Sequence, residues 1–187
     1  HPEQLNLRVL RAQAQEKDPL NLSHEQQASL YERVYKSIEE PLTRALALSQ
    51  FYRGEKRFED ALKALDALTG EAAESVDVLR QRFDIAMEQE DIATAERLLY
   101  SIRQKNADGC EGTLNSAQVE ILKKNYALAI RRLDECLTLK PLDSTIYFLK
   151  SQVYQQQADF ESASQNAQRA VQMNPLNSLY ARNWASI

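Results

Sequence analysis

The chain has 187 residues, of which 43% are hydrophobic and 27% charged, a balance that is typical of a globular protein and too apolar for a disordered one. Its 23 Lys and Arg against 27 Asp and Glu give a formal net charge of −4, which argues against a broad basic surface for nucleic acid or anionic lipid. Only 4 Gly and 5 Pro interrupt a sequence rich in Ala, Leu, Gln and Glu, so the composition predicts an all-α protein.

Catalytic, metal and membrane signals are missing from the sequence. It has 2 His and 2 Cys and lacks the phosphate-loop, dinucleotide, zinc-protease and serine-hydrolase motifs, so we predict no metal, no cofactor and no enzymatic activity. No segment approaches the roughly 18 apolar residues that span a bilayer, and no signal peptide is visible. The sequence therefore predicts a soluble protein. Because the first residue is His1 and not Met, we expect a processed or cut chain, and the sequence leaves open whether the protein is cytoplasmic or exported after removal of a signal.

Two helices are predicted within residues 1–41. Apolar residues recur at helical spacing over 3–16 and again over 23–38, with a Pro-containing link between them. Ser23 is the predicted N-cap of the second helix, and Gln26, three residues later, is its capping-box partner. We interpret residues 1–41 as an N-terminal helical hairpin, either a degenerate repeat or a cap, because the repeat that follows does not extend back into it.

A 34-residue repeat begins after residue 41. Four times, an aromatic or aliphatic residue is followed three positions later by alanine, and both columns advance by 34 residues at each step. Pro141 and Pro175 show the same spacing. Each unit has the apolar periodicity of two helices, so the pattern predicts antiparallel helical hairpins whose small residues let the helices approach closely. The repeated pairs are Phe58 and Ala61, Ile92 and Ala95, Tyr126 and Ala129, and Phe160 and Ala163.

These units resemble the tetratricopeptide repeat (TPR), a 34-residue hairpin with a small residue at its eighth position, Tyr at its eleventh, Ala at its twentieth and Pro near its end. The last unit fits best, with Ser151, Tyr154, Ala163 and Pro175 at those places. The resemblance implies an all-α, right-handed solenoid of antiparallel helical hairpins, the TPR superhelix. It assigns repeats to 42–75, 76–109, 110–143 and 144–177.

The second and last parts of this array depart from the family pattern. In the repeat 76–109, Phe83 stands where the family has a small residue and Ala86 where it has Tyr, so we expect its packing to be locally looser or shifted. Residues 178–187, which include Trp184, begin a capping helix or a further repeat. Because a TPR array usually ends on a full capping helix, we expect the natural chain to continue beyond this point.

The TPR resemblance also implies a groove lined by the second, fifth, ninth and twelfth positions of each first helix. The ninth position carries three Gln and one Asp, a polar column whose amides could pair with the backbone of an extended peptide, next to apolar pockets. The alternative is that these Gln are solvated residues that bond water or each other. The candidate groove residues are Gln50, Arg53, Arg80, Asp84, Leu114, Gln118, Ile121, Phe148, Gln152 and Gln155.

Cys110 and Cys136 lie at the start of one predicted helix and near the end of its partner. In an antiparallel hairpin these ends are neighbours, so a disulfide is geometrically possible. Cys136 also stands in a column of small core residues, where a buried free thiol is the simpler interpretation. The sequence leaves both open.

The functional hypothesis is a protein–protein interaction module that binds a peptide or a partner protein in the groove, with no nucleic-acid binding and no membrane insertion. One alternative is a structural scaffold that self-associates through the open ends of the array, which exposure of Tyr180 and Trp184 would favour. Another is an accessory domain of a larger enzyme or assembly machine.

Overall fold

Ten α-helices and one short 3-10 turn make up residues 22–105 and 110–187, the part of the chain that the computed structural model describes, and this part contains no β-strand. The predicted all-α class is confirmed. The predicted helix over 3–16 lies outside the described residues. The helices are α1 (His24–Lys36), α2 (Pro41–Gly54), α3 (Phe58–Asp66), α4 (Val76–Glu88), α5 (Ile92–Lys105), α6 (Cys110–Leu122), α7 (Tyr126–Leu139), α8 (Ser144–Gln156), α9 (Phe160–Met173) and α10 (Ser178–Ala185), with the 3-10 turn at Gly70–Ala72.

The starts of the helices follow the 34-residue period of the sequence. Helices α3, α5, α7 and α9 begin at residues 58, 92, 126 and 160, and α4, α6 and α8 begin at 76, 110 and 144. The N-terminus of α1 is fixed by the predicted capping box. Gln26 N–H donates to Ser23 Oγ over 3.2 Å, and Ser23 N–H donates to Gln26 Oε1 over 2.8 Å. Both orphan N–H groups are thereby satisfied.

The turns inside the hairpins share a left-handed residue that is not glycine. Lys56, Glu90, Lys124 and Ala158 have φ between 57° and 60° and are 34 residues apart. At the last of these turns, Ala158 N–H donates to the Gln155 carbonyl and Asp159 N–H to the Tyr154 carbonyl, each over 3.0 Å. These bonds satisfy carbonyls at the C-terminus of α8 and reverse the chain into α9, but the Cβ at position 158 is strained in this conformation.

Replacing Ala158 by glycine is expected to raise the free energy of unfolding by about 0.5–1 kcal/mol, because relief of left-handed strain exceeds the added entropy of the unfolded chain. Thermal unfolding followed by circular dichroism measures the change. Ala181→Gly is the matched control, since Ala181 is exposed inside α10 and glycine there costs about 0.5–1 kcal/mol. A lower Tm for Ala158→Gly would contradict the strain argument.

The described chain divides into two compact units, with the boundary between Ile85 and Ala86. In unit 1, helices α2 and α3 pack around Leu48, Leu65 and Ile85. In unit 2, helices α6, α7 and α8 share a core of fully or largely buried side chains. That core contains Cys110, Ala117, Ala129, Leu133, Cys136, Ile146, Leu149 and Val153.

The divergent repeat buries its large residue. Phe83 is only 2% exposed, and Ile85 and Ala86 beside it are equally enclosed. The aromatic ring is therefore enclosed at the place where the family pattern has a small residue, and the locally looser or shifted packing expected from the sequence stays a prediction.

Candidate functional site

Three of the four groove residues predicted in unit 1, Arg53, Arg80 and Asp84, pair with charged neighbours. On α2 and α4, the Arg53 guanidinium donates to the Asp84 carboxylate, although the two residues are 31 positions apart. Arg80 Nη1 lies 3.6 Å from Asp77 Oδ1, one turn away on α4. Gln50 is exposed. The sequence placed Arg53 and Asp84 on one face, and the structure brings them together as an ion pair, so much of the charge on this face is compensated within the protein.

The groove residues predicted in unit 2 form two stripes on neighbouring helices. On α6, Leu114, Gln118 and Ile121 follow the i, i+4, i+7 spacing of one helix face. On α8, residues 148, 152 and 155 repeat that spacing. The two helices meet in one core, where Ala117 of α6 packs with Ile146 and Val153 of α8. Unit 2 thus presents two stripes of uncharged side chains.

Phe148 is the exception among these residues, because it does not face an open groove. It is 9% exposed, and its ring centroid lies 4.9 Å from that of Tyr180 on α10. Phe148 is the fifth residue of its repeat. Tyr180, which covers it, lies one repeat length of 34 residues after Ile146 and so holds the same place in α10 that Ile146 holds in α8. Leu114 is likewise half-buried against the core that contains Ile146. Fifth-position side chains in unit 2 therefore belong largely to the interior.

The contacts of α10 are residues that sequence reasoning missed. The Tyr180 hydroxyl lies 3.3 Å from Thr145 Oγ1, and Asn183 Nδ2 donates to the buried Ser151 Oγ over 2.6 Å. The contact between Tyr180 and Thr145 could have been predicted, because Tyr180 follows Ile146 by one repeat length of 34 residues. No sequence pattern marked the Asn183–Ser151 hydrogen bond.

Three Gln side chains in unit 2, at the ninth and twelfth positions of their repeats, are partly exposed on this face. Gln118, Gln152 and Gln155 are half-buried, and none of their side-chain amides forms a hydrogen bond with a described residue. The predicted alternative in which these Gln bond each other is not what the structure shows. Each amide retains a donor and an acceptor for water or for a ligand.

A polar cluster in unit 1 also has shifted pKa values. The hydrogen bond from Lys36 is the main cause that holds the pKa of Glu32 below its ordinary value, and Tyr52 and Arg57 also donate to this carboxylate. Burial, followed by the hydrogen bond to Glu32, raises the pKa of Tyr52 to about 12. The Arg57 guanidinium stacks on the Tyr52 ring at 4.5 Å. Because the cluster joins α1, α2 and the start of α3 and opens into no described pocket, we interpret it as structural.

The described part of the chain has neither a metal-binding cluster nor a membrane-spanning helix. It contains no group of three or more His, Cys, Asp or Glu side chains placed to hold a metal ion. None of its helices combines the length and apolar character needed to cross a bilayer.

The hairpin geometry and the residue period define a class of protein, and comparisons with known proteins agree with it. Residues 144–175 match the family model described as tetratricopeptide repeat. The chain has the all-α TPR fold. No curated protein sequence matches it.

Several solved structures are similar to this chain. The thermophilic TPR protein TTC0263 from Thermus thermophilus has 15% identity and a TM-score of 0.72, covering 99% of this chain and 97% of its own. A MamA segment (41-end) from Desulfovibrio magneticus RS-1 has 18% identity and a TM-score of 0.56, with 79% and 84% covered. The MamA MSR-1 structure has 14% identity and a TM-score of 0.54, with 91% and 94% covered. At these identities the likeness concerns the fold.

Proposed function

We propose that this protein is a protein–protein interaction module, and that the α6 and α8 stripes of unit 2 bind an extended peptide segment of a partner protein. The TPR fold is one in which stacked hairpins create extended binding surfaces. The proposal gives the chain no catalytic role and names no cofactor.

The observation that carries the proposal is the pair of half-buried amides at Gln118 and Gln152, which form no hydrogen bond within the described part of the protein. Each is half-buried, so part of its hydration is lost, and neither has a hydrogen-bonding partner among the described residues. An extended peptide presents N–H and C=O groups along its backbone, and a Gln amide can accept from one and donate to the other. A bound peptide backbone could therefore replace the water on these amides, and such contacts do not depend on the peptide's sequence.

The chemistry of the two stripes also describes the partner segment. Leu114 and Ile121 are half-buried aliphatic side chains beside Gln118, and the open positions of α8 are Gln152 and Gln155. The stripe residues are uncharged, and the nearest charge on that face of α6 is Glu111, one turn before Leu114. A segment with small or aliphatic side chains at its centre fits this face, whereas a charged centre would lose hydration with no ion pair in return. Unit 1, with its Arg53–Asp84 pair, is less suited to such a segment.

The double variant Gln118→Ala, Gln152→Ala is expected to bind peptides selected on the wild type about tenfold more weakly or worse, since two hydrogen bonds of about 0.5–1.5 kcal/mol each are removed. The peptides come from a phage-displayed random library selected on the full chain, and fluorescence anisotropy measures Kd. Helicity by circular dichroism is expected to stay unchanged.

The matched control is Gln165→Ala, Gln168→Ala, which makes the same change at two exposed positions of α9. It is expected to keep the wild-type Kd. Equal affinity in the Gln118 and Gln152 variant, or an equal loss in the α9 variant, would contradict the proposed site.

Self-association is the alternative that one surface favours. Leu176, Leu179 and Trp184 on and before α10 are exposed, whereas Tyr180, whose exposure would also have favoured self-association, is buried against Phe148. Only part of the predicted open-end surface is therefore available for a second copy. A molar mass that rises with protein concentration in light scattering would favour this alternative.

A further inference from the structure

Two buried cysteines meet at one end of the α6–α7 hairpin. Cys110 is the first residue of α6 and is 2% exposed, while Cys136 lies in the last turn of α7 and is 0% exposed. The Cys136 thiol donates to the Cys110 carbonyl oxygen over 3.0 Å, across 26 positions of sequence. Both thiols are free in this structure. The antiparallel hairpin thus brings the two residues into direct contact.

The surroundings of the pair keep Cys136 unreactive while the hairpin is closed. Burial raises the pKa of the Cys136 thiol to about 12, and the neighbouring Cys110 side chain adds to the rise. A thiol with such a pKa is almost entirely protonated near neutral pH and is a poor nucleophile.

We propose that Cys110 and Cys136 form a disulfide when the protein meets a low-molecular-weight disulfide oxidant such as oxidised glutathione. Three features support the pairing: the direct contact across the hairpin, the burial of both residues in one core, and the position of Cys110 at a helix end. Helix ends open more readily than helix centres; since Cys110 is the terminal residue of α6 whereas Cys136 lies one turn inside the end of α7, we expect Cys110 to become accessible first.

The exchange proceeds in two balanced steps. The Cys110 thiolate attacks one sulfur of oxidised glutathione, the glutathione disulfide bond breaks, and one glutathione thiolate leaves. The Cys136 thiol then loses its proton, and its sulfur attacks the Cys110 sulfur of the mixed disulfide, releasing the second glutathione. The protein loses two electrons and two protons, and oxidised glutathione gains them to give two reduced glutathiones.

The bond would fix the start of α6 to the end of α7. Cross-linking residues this far apart restricts the unfolded chain and stabilises the folded hairpin, provided that the native geometry accepts the bond. Helix α6 carries Gln118 at its centre, but the inference does not depend on the groove function. The disulfide would form in a protein that binds no peptide at all.

The test incubates the full chain in buffers of oxidised and reduced glutathione, quenches with acid, and maps disulfides by mass spectrometry without reduction. The expected product is a monomer that has lost two hydrogens and contains a Cys110–Cys136 peptide link. Its Tm is expected to rise by about 5 °C or more, and dithiothreitol is expected to reverse the rise.

The single variants Cys110→Ala and Cys136→Ala are the controls, and neither is expected to show an oxidation-dependent change in Tm. Three results would overturn the proposal: a stable glutathione adduct on Cys110 of the wild type, a disulfide between two chains, or a link that forms only in urea. An oxidised monomer with a lowered Tm would also overturn it, because the bond would then oppose the native geometry. These outcomes are read on the wild type, so they remain decisive if a variant fails to fold.

Discussion

Truncation of Phe83 to alanine is expected to lower the free energy of unfolding by about 3–5 kcal/mol. The ring is 2% exposed and is among the largest fully buried side chains. Its removal forfeits the burial of the aromatic group and leaves a cavity that the surrounding side chains can fill only in part. Urea denaturation followed by circular dichroism measures the loss.

Phe160→Ala is the matched control, because the Phe160 ring is 57% exposed at the start of α9. The same truncation there is expected to change the free energy of unfolding by about 0.5 kcal/mol or less. If the two variants lost equal stability, Phe83 would not fill the interior of the divergent repeat.

Replacing Ala129 by leucine is expected to cost about 1–3 kcal/mol through overpacking. Ala129 lies on α7 and is fully enclosed between that helix and α6, in the same core as Leu133 and Ala117. A larger side chain has no free space there, so the α6–α7 hairpin must separate or adopt strained rotamers. The Tm and the urea midpoint are both expected to fall. The equivalent change Ala163→Leu on α9 is expected to behave in the same way, since Ala163 is equally buried.

Ala127 provides the comparison for this prediction, because it is exposed on the same helix two residues earlier. Ala127→Leu is expected to leave stability within about 0.5 kcal/mol of the wild type. An unchanged Tm for Ala129→Leu would mean that the alanine column does not mark the closest approach of the helices.

The fold could be predicted because its determinants are local or strictly periodic. The capping box at Ser23 and Gln26 depends on four consecutive residues, and the second-helix starts at Phe58 and Tyr126 follow a fixed step. The interior place of Phe83 could not be predicted, since the family pattern has a small residue at that position. A single sequence does not show which neighbouring side chains leave space for a ring.

The candidate site could be predicted only in part. Helical spacing was sufficient to place Gln118 and Gln152 on corresponding faces of α6 and α8, but their role as ligand contacts stays a prediction. Phe148 was assigned to the groove by its position in the repeat, but little of its side chain is exposed, because Tyr180 of α10 packs against it. Whether a helix face is buried depends on how the next helix packs against it. Matching single residues to the positions of the family pattern gives no information on that packing.

The span of the contacts has a consequence for how quickly the chain folds. The side-chain hydrogen bonds of Tyr52 with Glu32, Arg53 with Asp84 and Thr145 with Tyr180 join residues only 20, 31 and 35 positions apart. Closing such short loops costs little entropy, and proteins dominated by local contacts fold in about microseconds to milliseconds. Folding of such an array can nucleate in any hairpin. Ala129→Leu is therefore expected to slow folding mainly when nucleation begins in the α6–α7 hairpin, which contains residue 129.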